Sequence, residues 1–124
     1  MKYTITGKVV RGEGYGRKIN FPTINLDRKH FSKMKEKPAF GVYAGQAFLG
    51  SKSYKAGVII GPLDKKGLPK IEAHLINFKG NLYGKKVILE VGKFIRKFKK
   101  FKTEKELIAQ IKKDLIIARK IINF

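Results

Sequence analysis

A chain of 124 residues, 43% hydrophobic and 31% charged, has the composition of one globular domain and not of a disordered segment. It carries no cysteine and two histidines, which excludes disulfides, thiolate metal centres and a cysteine nucleophile and disfavours a zinc site. Twenty-nine basic residues against nine acidic ones give a net charge of +20, enough to attract any polyanion without specificity.

Only Arg11, Arg17, Arg28, Arg96 and Arg119 bring the guanidinium fork that reads phosphates and base edges bidentately, so no specific nucleic-acid partner is expected. No apolar run approaches the ~20 residues that span a bilayer, and Met1–Gly7 has no apolar signal core. The expectation is a cytoplasmic protein with no membrane partner.

Up to about residue 92, short apolar runs are broken by Gly, Pro and Asn, the rhythm of an all-β barrel or sandwich. Lys2–Arg11 reads as a strand ending in the cluster Gly12-Glu13-Gly14-Tyr15-Gly16. Such glycines let backbone N–H groups approach an anion, and they equally serve an ordinary hairpin turn. No Gly-Lys-Ser/Thr closes the cluster and no helix is expected after it, so neither a Walker A loop nor a dinucleotide fingerprint is present. Glu13 opposes an anion. Arg28–Pro38 is the expected long loop. Gly41–Phe48 and Ser53–Ile60 are further strands, and Ile71–Phe78 and Lys86–Val91 flank a hairpin connection at Lys79–Gly84.

Within these strands the side-chain alternation assigns faces. Val87, Leu89 and Val91 share one face. Glu72, His74 and Ile76 share another, and a glutamate on such a face is costly to bury without a use or a partner. His74 reads as structural, hydrogen-bonded near the barrel wall. Lys93–Lys102 interleaves aromatics with cations, a pattern that binds single-stranded nucleic acid. Burial of its phenylalanines in a barrel–helix seam, with the lysines solvated, explains it more simply. At the end, Leu107, Ile111, Leu115, Ala118 and Ile122 recur at helical spacing behind a Thr103-x-x-Glu106 capping box.

One stretch reaches further. Gly16-Arg17-Lys18-Ile19-Asn20-Phe21-Pro22-Thr23-Ile24-Asn25 follows the glycine cluster, and its Pro-Thr-x-Asn is by itself readable as a locally capped turn. Together with Glu72-Ala73-His74, Leu82-Tyr83-Gly84 and Phe94-Ile95-Arg96 through Phe101, Gln110 and Asp114, it resembles the riboflavin kinases (flavokinases) from about residue 5 to 121.

The resemblance implies a six-stranded antiparallel Greek-key β-barrel with a C-terminal helix, a single domain over 1–124 with the barrel at about 1–92 and the helix at about 103–122. It implies transfer of the ATP γ-phosphoryl group to the 5′-hydroxyl of riboflavin, giving FMN and ADP. By the same resemblance Glu72 is the catalytic base, and Thr23 and Asn25 hold Mg²⁺. Gly12, Gly14, Gly16 and Arg17 line the nucleotide phosphates, with Leu75, Asn77 and Tyr83 against the nucleotide. Arg96, Lys99 and Phe101 border the flavin.

Two departures from the family pattern stand out. Asn20 replaces the usual glycine before Phe-Pro-Thr, and Asn also tolerates positive φ. The family's Asn-Ile-Gly-x-x-Pro-Thr-Phe segment is reduced to Ile59–Gly67, which leaves room for another nucleotide donor or flavin analogue. The length suggests a monofunctional kinase without the adenylyltransferase domain of many bacterial relatives, and the charge suggests a monomer. The alternative from another class is a basic barrel that binds nucleic acid through Lys93–Lys102, with a vestigial kinase site.

Overall fold

The computed structural model describes residues 2–12 and 14–121. Glu13 and Ile122, which the sequence places in the glycine turn and in the helix stripe, lie outside the described residues. Six strands, β1 (Tyr3–Val10), β2 (Ile24–Leu26), β3 (Gly41–Leu49), β4 (Lys52–Leu63), β5 (Pro69–Leu75) and β6 (Lys86–Arg96), close an antiparallel barrel in the order β1-β2-β5-β4-β3-β6. β3, β4 and β5 are consecutive hairpin partners, and β6 returns to lie beside β3, the Greek-key connection.

Period-two alternation builds the interior. Ile5 and Val9 of β1, Val58 and Ile60 of β4, Ile71, Ala73 and Leu75 of β5, and Val87, Leu89 and Val91 of β6 all point inward and are buried. Burying each such Ile, Leu or Val contributes roughly 1.5–3 kcal/mol. The pairing of β6 runs on to Arg96, opposite Val42, so the barrel extends four residues past its expected end at 92.

The C-terminal helix α3 (Glu104–Lys120) covers the outside of β3 and β4. Leu115 and Ala118 join Ala44 and Ile76 in a second, smaller core, so β3 is buried on both faces. The helix starts where the capping box predicts: Thr103 Oγ1 accepts from the Glu106 N–H at 3.1 Å, and Glu106 Oε2 accepts from the Lys102 N–H at 3.2 Å. Lys55 Nζ donates to the Arg119 carbonyl at 2.6 Å, satisfying one of the last carbonyls of the helix.

Four expectations need correction. Residues 79–84 make no hairpin connection, because β5 pairs with β2 and β4 while β6 pairs with β1 and β3, so the segment crosses from one side of the barrel to the other. A one-turn helix, α1 (Tyr15–Lys18), follows the glycine cluster, closed by Phe21 N–H donating to the Gly16 carbonyl at 2.7 Å. At four residues it makes no dinucleotide site. The Arg28–Pro38 loop contains a short helix, α2 (Lys29–Lys33), because Phe31 plugs the barrel core and His30 Nδ1 accepts from the Thr6 N–H at 3.0 Å. Finally, Phe94 and Phe98 are not buried in the barrel–helix seam but exposed, Phe94 set edge-on to Tyr43 at 5.2 Å.

Candidate functional site

A cavity of about 600 Å³ opens on the outer face of the β2–β5–β4 wall, between the glycine turn, the β4–β5 hairpin and α3. Its floor is Glu72. Because Ile71 and Ala73 point into the barrel, Glu72 points out, flanked by Asn25 on β2 and Ile59 on β4 in register. Thr23, just before β2, donates its hydroxyl to Glu72 Oε1 at 3.0 Å. Two residues along β5, His74 Nδ1 lies 2.7 Å from the Pro22 carbonyl, and its ring meets Phe21 edge-on at 5.8 Å. A carbonyl only accepts, so Nδ1 carries the proton, and His74 pins Pro22-Thr23 against the carboxylate. That is the structural role expected from the sequence.

The glycine turn forms one bank. A Cβ on Gly12 would overlap the Asn25 amide, so only glycine lets that side chain lie over the turn. Asn20, at φ 68°, occupies the left-handed conformation that its substitution for glycine requires. Gly12, Gly14 and Gly16 line the cavity, whereas Arg17 does not.

The other bank is the segment after β6. Arg96 donates through Nε and Nη2 to both carboxylate oxygens of buried Asp114 and through Nη1 to the Lys97 carbonyl at 3.2 Å. Gln110 completes the cluster with a donation to Asp114 Oδ1 at 3.0 Å. The ring of Phe101 lies 5.8 Å from the guanidinium and 5.4 Å from Lys99 Nζ. Arg96, Lys99 and Phe101 all line the cavity.

Leu75, Asn77 and Tyr83 lie outside the lining. Leu75 takes the inward face of β5 and joins the barrel core. Asn77 is exposed in a turn at φ 64°, and Tyr83 is exposed beneath the Arg11 guanidinium, 5.4 Å from it. The lining instead adds Arg11, Arg28, Lys65, Lys66 and Phe98, which sequence reasoning did not assign. Only the departure of Ile59–Gly67 from the family pattern pointed towards two of them.

The side-chain oxygens of Thr23 and Asn25 beside one carboxylate are a hard donor set of the kind Mg²⁺ takes together with nucleotide phosphates. Among the described residues no group of three or more His, Cys, Asp or Glu gathers to hold a metal alone. The residues therefore fit a metal delivered with a nucleotide better than a resident ion.

A carboxylate held by a hydroxyl and set in register with an asparagine, next to a glycine turn and basic side chains on the wall of a small barrel, defines a site suited to phosphoryl transfer. The riboflavin kinase (flavokinase) family model matches residues 1–122, and the chain belongs to that family. The bifunctional riboflavin kinase/FMN adenylyltransferase of Escherichia coli K12 is 34% identical over 125 residues, covering 98% of this chain and 38% of the relative. This chain thus spans under two-fifths of that relative's length. The crystal structure of riboflavin kinase from Trypanosoma brucei superimposes with a TM-score of 0.68 at 25% identity, covering 95% of this chain and 78% of that one. A Streptococcus pneumoniae chain described as a macrolide-efflux protein superimposes with a TM-score of 0.83 at 29% identity, over 96% of this chain and 39% of its own. Among the described residues no helix is long and apolar enough to cross a membrane.

Proposed function

We propose that this chain transfers the γ-phosphoryl group of ATP to the 5′-hydroxyl of riboflavin, giving FMN and ADP. The observation that carries the reading is Glu72, held by Thr23 at 3.0 Å and set beside Asn25 in a cavity with room for a planar ring system and a phosphate tail. Thr23 occupies Glu72 Oε1, which leaves Oε2 to accept the hydrogen bond of the substrate hydroxyl. That oxygen forms its bond to the γ-phosphorus as the bond to the ADP oxygen breaks, and the hydroxyl proton passes to Glu72. Phosphoryl transfer has a loose transition state, so positioning and charge neutralisation outweigh covalent chemistry. Mg²⁺ held by Thr23 and Asn25 with the nucleotide supplies part of that neutralisation.

Backbone N–H groups of Gly12, Gly14 and Gly16 approach the phosphates, with Arg17 outside this contact. Phe98, Lys99 and Phe101 border the flavin, and Arg96 acts on it through their placement. Leu75, Asn77 and Tyr83 take no part in this arrangement. The reading keeps the protein a cytoplasmic enzyme, where ATP is held, and a monomer, since a net charge of +20 repels a second copy.

Purified protein incubated with riboflavin, ATP and Mg²⁺, followed by chromatographic separation of FMN, tests the proposal. FMN that depends on both ATP and metal supports it. No FMN from a folded protein, with other nucleoside triphosphates also tried, overturns it.

A further inference from the structure

Glu72 divides the cavity into two unlike halves. Along β5 and β4 towards His74 and Gly57, the wall becomes apolar and aromatic, with Phe21, Ile111 and Leu115. In the other direction it becomes basic, with Lys70 two residues before Glu72 and then Lys65 and Lys66 in the β4–β5 hairpin. Two residues of strand advance only ~6.6 Å, so this basic half begins within reach of a phosphate chain whose end lies at Glu72.

The hairpin is braced. Asp64 Oδ1 accepts from the Lys66 N–H at 2.8 Å and the Leu68 N–H at 3.1 Å, and the Asp64 N–H donates to the Leu68 carbonyl at 2.8 Å. Arg28 Nη2 lies 2.8 Å from Asp64 Oδ2, while its Nη1 donates to the Pro69 carbonyl at 3.3 Å. Arg28 comes three residues after Asn25, so the ion pair ties the hairpin to the chain segment that carries the candidate metal ligand. Asp64 is thereby neutralised by Arg28 and the turn, and it does not oppose an anion beside Lys65 and Lys66, which are exposed on the cavity wall.

We propose that the β4–β5 hairpin is a phosphate grip, in which Lys65 and Lys66 bind the polyphosphate tail of the donor nucleotide and Arg28 and Asp64 are positioning residues that hold them there. The inference rests on the kinase reading above and adds a second set of phosphate contacts to those of the glycine turn. It also assigns the flavin ring to the apolar half under α3. The hairpin lies within the segment where this chain departs from the family pattern, so the grip distinguishes this chain's donor site.

Steady-state kinetics, with calorimetric titration by MgATP and by inorganic tripolyphosphate, decide it. Replacing both lysines (Lys65→Ala with Lys66→Ala) is expected to raise KM and Kd for MgATP about tenfold, the size of two partly screened charge-assisted contacts. Tripolyphosphate affinity should fall in parallel, with the riboflavin KM unchanged. Lys65→Arg with Lys66→Arg should keep wild-type MgATP affinity. Asp64→Asn keeps the oxygen that serves the turn but releases Arg28, and should raise the MgATP KM with the riboflavin KM unchanged, in a protein that still melts cooperatively. Unchanged MgATP affinity in the double alanine variant, or an equal rise in both substrates' KM, overturns the grip, and an unaffected Asp64→Asn overturns the positioning role. If the wild-type protein makes no FMN, the kinase reading falls separately. Tripolyphosphate binding then still judges the hairpin, since wild-type affinity in the double alanine variant, or no binding by wild type, refutes it.

Discussion

Arg96 Nη2 lies 2.8 Å from Asp114 Oδ2, and this contact joins the end of β6 to the middle of α3. The pair is mostly buried, with side-chain exposures of 18% and 6%. Since Nε, Nη1 and Nη2 all have protein acceptors, Arg96 shapes the 97–101 segment and places Phe101 before any ligand arrives. Removing one partner of a buried pair strands the other charge, and Arg96→Ala should cost about 3 kcal/mol, the lower end of the usual range because Gln110 still donates to Asp114. Arg96→Lys keeps the charge but loses the two-pronged geometry, so it should raise the riboflavin KM more than the ATP KM. Denaturant unfolding and the two Michaelis constants check both statements. Equal changes in the two constants would contradict the placement role.

Glu72→Gln preserves the shape of the side chain and an acceptor for the Thr23 hydroxyl while removing the proton acceptor. Loss of a positioned general base costs about 10²- to 10⁴-fold in rate, so kcat should drop by that factor. The barrel and MgATP affinity should be unaffected. Single-turnover measurement of FMN together with nucleotide titration checks this, and a kcat near wild type would remove Glu72 from the chemistry.

Asn25 and Gly12 act as a unit, because the Asn25 amide fills the space that a Cβ on Gly12 would take. Asn25→Ala should raise the Mg²⁺ concentration needed for half-maximal rate without altering the fold, since the side chain is on the outer face of β2. Gly12→Ala displaces the same amide and should produce the same shift in metal requirement. Magnesium titrations of the two variants test the coupling. A Gly12→Ala enzyme with wild-type metal dependence would break it.

The barrel was legible wherever one face of a strand is apolar and the other is not, as in Val87, Leu89 and Val91 or Ile71, Ala73 and Leu75. The helix was legible because Thr103 and Glu106 mark its start. Short helices α1 and α2 carry no periodic signal, since α1 is a single turn closed by a local backbone bond from Phe21 to Gly16 and α2 is fixed by the tertiary contact of Phe31 with the core. At the site, Glu72, Thr23 and Asn25 were named from linear motifs and are brought together by the β2–β5 pairing. Lys65, Lys66 and Phe98 are not assigned to the site by the sequence, because their place on the cavity wall depends on how the hairpin and the segment after β6 fold back. A Lys-rich chain offers no linear signal that separates such lysines from solvated ones.

Acid should loosen the hairpin before it unfolds the barrel. The Asp64 carboxyl is held below its ordinary value of 3.8 by the Leu68 N–H first, with Arg28 and the Lys66 N–H adding to it. Asp27 is likewise lowered, chiefly by the Lys8 N–H, and fastens β1 to the start of the α2 loop. A carboxylate whose folded pKa is depressed binds fewer protons in the native state than in the unfolded one. Its stabilisation is therefore complete above the unfolded value and is lost as pH falls through the lower folded value. Melting temperature should hold steady down to about pH 5 and decline below about pH 4. Asp64→Asn and Asp27→Asn should each flatten that decline, and in Asp64→Asn the MgATP affinity should also lose its acid dependence over the same window. Melting curves and MgATP titrations at stepped pH measure both, and a decline of wild-type steepness in the two variants would place the acid sensitivity elsewhere in the protein.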